Sequence, residues 1–200
     1  MNRRHILTAV PALALAGCGT ILSTREAVEK RNWPMLVRRP ESVPPKRDGR
    51  VLLVRGFAAA PGLDRRGLQT LAADGSMKSD FYEEWAVPPA DGAEEALRQW
   101  LAASGQFSAV LAPGSRLPAE LVLEGELLAL RAEPARGMAV ASIAYVLADQ
   151  RPRDTVLLRQ ETMDAEAPLL GAGAPALAAA QLRALAIVLA RIEMSLRALG

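Results

Sequence analysis

The sequence predicts an α+β fold: a single domain with a largely antiparallel sheet and two helices packed on one face. Three observations lead there. From residue 119 onward the chain carries three strand-like runs joined by turn signals. Before them, residues 91–104 repeat apolar side chains at helical spacing. After them, the C-terminal stretch carries a longer apolar stripe of the same period. Half of the residues are hydrophobic (50%), enough to fill a core. No repeat of fixed period and no break in composition divides the chain.

Each element follows in order. In residues 33–39, Trp33, Met35 and Val37 fall on one side, as in a strand, and Pro34 places it at an edge because it has no N–H to give. Residues 40–50 hold Pro40, Pro44, Pro45 and Gly49 and read as a loop. The apolar run at 51–57 is bounded by Gly49 and Pro61, the mark of a buried strand. Pro61-Gly62 signals a turn, 68–72 a brief strand, and Gly75-Ser76 another turn. Residues 80–85 are strand-like. Their aromatics Phe81, Tyr82 and Trp85 read first as core packing, with a lipid-contact patch as the sharper alternative. Beyond Pro88-Pro89, Asp91 stands where an N-cap belongs and Glu94 follows three residues on, as in a capping box. Ala93, Ala96, Leu97, Trp100 and Leu101 form the inward face of that helix, and Gly105 stops it.

A strand is expected at 107–111 and a loop at 112–118. In the next strand, Leu121, Leu123, Gly125, Leu127 and Ala129 share one face; Glu120, Val122, Glu124, Glu126 and Leu128 share the other. Met138, Val140, Ser142, Ala144 and Val146 then oppose Ala139, Ala141, Ile143, Tyr145 and Leu147, and a third strand covers 155–161. The turns at 134–137 and 149–154 make this a meander. After a loop at 171–175, Leu185, Val188, Leu189, Ile192, Leu196 and Leu199 line one stripe of a helix running to the C-terminus. Arg183, Arg191, Glu193 and Arg197 interrupt a membrane-spanning reading, so a helix packed on the sheet is expected.

The N-terminus reads differently. Arg3 and Arg4 precede an apolar stretch at 6–16 that is too short to cross a bilayer, which takes about 20 residues. A charged start, a short apolar run and a small-residue exit mark a cleaved export signal. The exit, Leu15-Ala16-Gly17-Cys18, resembles the lipobox of bacterial lipoproteins. The resemblance implies cleavage between Gly17 and Cys18 and acylation of Cys18, which tethers the chain to a membrane. Residues 1–17 are then a signal peptide, 18–50 an anchor and tether with a leading strand, and 51–200 the domain proper. By the same resemblance, Gly19 in place of an aspartate tilts sorting towards the outer membrane. Arg3-Arg4-His5-Ile6-Leu7 also looks like a twin-arginine export address, and two arginines are equally normal in a general secretory signal.

Composition excludes much chemistry. Cys18 is the one cysteine and His5 the one histidine. Removal of the signal leaves no histidine and one alkylated thiol, hence no Ser-His-Asp triad, no Cys-His pair and no Cys/His zinc site. Asp80, Glu83 and Glu84 read as a solvated face rather than an acid/base cluster. Residues 171–173 lack the Lys-Ser/Thr of a phosphate loop, and Gly114-Ser115 lacks the frame of a nucleophile elbow. A non-enzyme without metal or cofactor is expected. Without Arg3 and Arg4 the 24 basic side chains become 22 and balance the 22 acids, so nucleic acid is not an expected partner.

From residue 51 the chain resembles the ABC-type transport auxiliary lipoprotein family. The resemblance is carried by Val51-Leu52-Leu53-Val54 with Ala60-Pro61-Gly62-Leu63-Asp64, by Phe81-Tyr82-Glu83-Glu84-Trp85-Ala86-Val87-Pro88-Pro89, by 97–101 with Ser104-Gly105-Gln106-Phe107, and by the strand pair at 121–131 and 139–149. Residues 20–50 depart from the short tyrosine-containing first strand of that family. The resemblance implies a non-catalytic accessory component of a transporter that moves lipids or other apolar molecules across the cell envelope. The implied partner is a periplasmic protein with a mammalian-cell-entry domain, and homo-oligomers are compatible with it. A periplasmic carrier holding a lipid between sheet and helix is the alternative.

Overall fold

The computed structural model describes residues 28–150 and 154–197. The residues expected to form the signal peptide, Gly17, Cys18, the first part of the expected tether and Leu199 lie outside the described residues, as does the middle of the 149–154 turn. In chain order the elements are β1 (Arg31–Trp33), β2 (Val51–Val54), β3 (Ala58–Ala59), β4 (Gly67–Leu71), β5 (Met77–Trp85), α1 (Pro89–Ala102), β6 (Ala109–Leu111), β7 (Leu121–Glu133), β8 (Met138–Gln150), β9 (Thr155–Pro168) and α2 (Gly173–Leu196). The fold is α+β, as the sequence predicts, and its nine strands form one sheet.

The sheet is built outward from β7. On one side stands the predicted meander, β7–β8–β9, antiparallel throughout. A 3-10 turn at Pro134–Arg136 reverses the chain, and Gly137 takes the left-handed conformation (φ +65°) that tight reversal needs. On the other side the chain runs along β7 in three short parallel steps: Leu52 opposite Leu121, Ala58 opposite Glu126, and Thr70 opposite Ala132. β6 adds parallel to β2, β5 antiparallel to β4, and β1 parallel to β5. The sheet is therefore mixed: its long ladders are antiparallel, as predicted, and its short ones, apart from β4–β5, are parallel. Parallel neighbours need a long crossover, and the stretch containing α1 supplies one between β2 and β6.

Both helices cover one face, touching β7 and each other. The predicted α2 stripe packs on β8 and β9, with Leu185, Val188, Leu189, Ile192 and Leu196 fully buried. By length and composition alone α2 could cross a membrane (mean hydropathy 1.6 over 18 residues), but here its stripe meets the sheet. Opposite it lie Leu121, Leu123, Leu127, Ile143 and Leu147, all fully buried.

Several local expectations shift. α1 begins at Pro89 with Pro88 as N-cap, so Asp91 sits inside the first turn rather than capping it. Proline at the first helical position has the right φ already and gives up an N–H that would have no partner. Glu94 does not reach back to a cap; its carboxylate accepts the Phe57 N–H at 3.0 Å. The strand expected at 33–39 pairs only through Trp33, although Met35 and Val37 are buried as its alternation foretold. β9 continues past residue 161 to Pro168. In β7 the pairing shifts between Leu127 and Ala129. That bulge brings Leu130 to the core face and displaces Ala129 from it, because one extra residue inverts the alternation.

Candidate functional site

The structure joins titratable side chains into two internal networks and pushes one aromatic pair outward. In the first network, Glu193 on α2 accepts the Trp100 indole N–H at 2.7 Å and the Arg39 guanidinium at 3.0 and 3.2 Å. The Gln106 side chain donates to the Glu193 carbonyl oxygen at 3.1 Å. One carboxylate thus fastens the incoming segment, α1 and α2 together. The hydrogen bond that Arg39 donates to Glu193 raises the Arg39 pKa above its ordinary value. Beside it lies an open hollow of about 300 Å³ lined by Arg39, Trp100, Met194 and Arg197.

The second network holds Tyr145 on β8, Glu161 on β9 and Ser195 on α2. The phenol donates to Glu161 at 2.7 Å and shares a hydrogen bond with the Ser195 hydroxyl. Burial pushes the Tyr145 pKa up to about 12. The Tyr145 and Arg159 hydrogen bonds hold Glu161 below the usual carboxylate range. A phenol so placed keeps its proton at neutral pH, and the trio ties α2 to the meander.

Asp80 is exposed, as the solvated reading implied, but Glu83 and Glu84 are half-buried and paired. Glu83 accepts the Trp33 indole N–H at 2.8 Å and the Arg31 Nε–H at 2.8 Å. Glu84 pairs with Arg66 at 2.7 Å and Lys30 at 3.8 Å. Together they clamp β1 to β5. Asp80 turns its carboxylate back onto its own chain and accepts the N–H groups of Tyr82 (2.8 Å) and Glu83 (3.0 Å).

That turn has a consequence for the aromatics. Gly67 pairs with Glu84 and Gln69 with Ser79, so β5 carries three more residues than β4 across this step. The surplus loops out as a wide bulge, pinned by Asp80. A Cβ on Gly67 would overlap the Asp80 carbonyl oxygen, so the close approach requires glycine. Trp85 is core, as expected, at 1% exposure, but Phe81 and Tyr82 ride the bulge into solvent at 67% and 43%. Their rings meet edge to face at 5.1 Å, and the Lys30 ammonium lies 4.1 Å from the Phe81 ring centre. No motif in the sequence announces the bulge; the Gly67 to Asp80 contact that makes it spans distant residues.

Among the described residues no three histidine, cysteine or carboxylate side chains converge as a cation site. The buried carboxylate of Glu193 and the buried phenol of Tyr145 fasten elements together, while the buried side-chain oxygens of Gln106 and Gln181 have no hydrogen-bond partner. Known structures share this architecture. A Xanthomonas campestris protein of the DUF330 family superposes with a TM-score of 0.67 at 19% identity, covering 82% of this chain and 92% of its own. A second solved structure, of an uncharacterized protein, superposes at 0.63 with 15% identity, covering 83% and 99%. At these identities the likeness establishes the fold. No curated protein matches the sequence. The family model for the ABC-type transport auxiliary lipoprotein component matches residues 36–193, and the chain belongs to that family.

Proposed function

We propose that this chain is the membrane-anchored, non-catalytic accessory lipoprotein of an ABC-type transporter that carries lipids or other apolar molecules across the cell envelope. Acylated Cys18 holds it in a membrane, the outer one on the strength of Gly19, with the domain facing the periplasm. It acts by docking to a periplasmic partner with a mammalian-cell-entry domain. The lipid anchor draws its strength from methylenes, each contributing about 0.8 kcal/mol when buried.

The observation that carries this reading over a lipid carrier is the filled interface between α2 and the meander. Leu185, Val188, Leu189, Ile192 and Leu196 are fully buried there, so the middle of the sheet–helix interface is taken by side chains, and a hollow of about 480 Å³ is left at its edge, beside Gly173, Ala174 and Leu177. Membership of the auxiliary family supports it from the side of sequence.

The test is a mild-detergent pull-down of the C-terminally tagged native protein, with co-purifying proteins and lipids identified. Recovery of a mammalian-cell-entry protein without tightly held lipid beyond the anchor is the expected result. A stoichiometric extra lipid and no such partner would overturn the docking role. Fractionation of Cys18→Ser, which should leave the membrane, tests the anchor separately.

A further inference from the structure

Phe81 and Tyr82 are exposed by construction. A chain with only eight aromatic residues among 200 places two of them on the tip of a bulge. That bulge needs a glycine opposite it and a carboxylate to pin it. Bulges of this kind re-aim side chains. Lys30 lies over the Phe81 ring, Lys78 lines a hollow with Phe81, and Met77, 51% exposed, precedes Lys78 on β5. Glu83 is paired with Arg31, and Glu84 is shared by Arg66 and Lys30, so Lys30, Arg31, Arg66 and Lys78 set against Asp80, Glu83 and Glu84 leave the tip with a small positive excess. Aromatic rings beside lysines are the combination that settles at the boundary between headgroups and acyl chains.

The position of the tip relative to the incoming chain names its occupant. β1 lies directly against the bulge, with Arg31 opposite Glu83 and Lys30 stacked on Phe81. The described residues begin at Val28, 64% exposed, only ten residues after Cys18. Fully extended, that interval reaches about 35 Å at most. Whatever its conformation, the surface beside β1 stays within reach of the bilayer that holds the lipid.

We propose that the Phe81–Tyr82 bulge, with Met77, Lys30 and Lys78, is a membrane-contact tip that seats the domain on the bilayer in which Cys18 is anchored. The inference rests on the anchor reading given above. The lipid fixes distance from the membrane, and the tip fixes which face of the domain turns towards it. β6 joins, through β2, the start of β7 and the bulge joins, through β4, its end, so the two are separated along the length of that strand.

The experiment uses the full chain as purified from membranes, reconstituted into phosphatidylethanolamine–phosphatidylglycerol vesicles with acyl chains brominated at one depth. Phe81→Trp and Tyr82→Trp each add a reporter at the tip, and Leu117→Trp adds one at an exposed site beyond β6. Interfacial insertion of about 5–10 Å brings an indole within reach of such bromines. The tip reporters should lose about half their added emission while the Leu117→Trp reporter loses little. Equal quenching at tip and control overturns the proposal. So does an unquenched tip whose Phe81→Ser/Tyr82→Ser variant changes oligomer mass by light scattering, which would give the patch to a protein contact. Mass spectrometry of the Cys18 peptide reports the anchor independently. A chain without acyl groups on Cys18 sinks the anchor reading, while quenching at the tip still decides the contact.

Discussion

Glu193 is 5% exposed and accepts hydrogen bonds from an indole and a guanidinium that are far away in the chain. Taking a carboxylate out of water costs several kcal/mol, and those partners offset it. Glu193→Ala should therefore lower stability by about 3–5 kcal/mol in urea unfolding. Arg39→Ala should cost less, because its side chain keeps more contact with water (16% against 7%). The double variant should fall short of the sum by about 1–3 kcal/mol; strict additivity would mean the two groups do not act together. Tyr145 gives a prediction of the opposite pH sense to an acid. Its folded pKa, about 12, lies above its ordinary value of 10, so the native state holds the phenolic proton more tightly than the unfolded chain. The stabilisation is complete below pH 10 and is lost as pH rises towards about 12. Thermal melts of the protein and of Tyr145→Phe should converge across that window. A constant gap between them would show that the phenol does not titrate differently on folding.

The bulge in β5 and the bulge in β7 show how elements depart from their local pattern. A period-two alternation places Ala129 inside; the extra residue at Leu128 brings Leu130 there instead. The same alternation cannot reveal that β5 outruns β4 by three residues, since that is a property of the pair. Gly67 carries the consequence. Gly67→Ala forces a methyl against the Asp80 backbone, and backbone cannot swing aside as a flexible side chain can. A loss of about 1–3 kcal/mol is expected, read as a lower urea midpoint at unchanged slope. The variant should also shield Phe81 and Tyr82 differently, visible as changed near-UV circular dichroism. Wild-type stability and spectrum would mean the bulge does not depend on that glycine.

At the scale of the whole molecule, one core joins the helices to the nine-stranded sheet. Burial, not residue type, decides what a substitution costs. Trp85→Ala removes a core indole and should cost about 3–5 kcal/mol, whereas Phe81→Ser removes an exposed ring and should stay within about 0.5 kcal/mol. Leu189→Ala, in the middle of the α2 stripe, should cost about 2–5 kcal/mol and lower the single unfolding transition seen by fluorescence and far-UV dichroism alike. A transition split between the two probes would show that α2 melts apart from the sheet.

Read alone, the chain determined the strands of the meander, the existence of both helices and the face each buries. These depend on steric preferences and apolar periods that act over a few residues. It also placed Met35 and Val37 in the core before any ladder was known. Tertiary structure decided the rest. It set β2, β3 and β4 end to end along β7, gave Glu83 to Arg31 and Trp33, gave Glu193 to Arg39 and Trp100, and turned Phe81 and Tyr82 outward while burying Trp85. Each of those outcomes joins residues far apart in sequence. Such pairings are selected by which loops can close and which surfaces then fit, and neither is written in the period of a single segment.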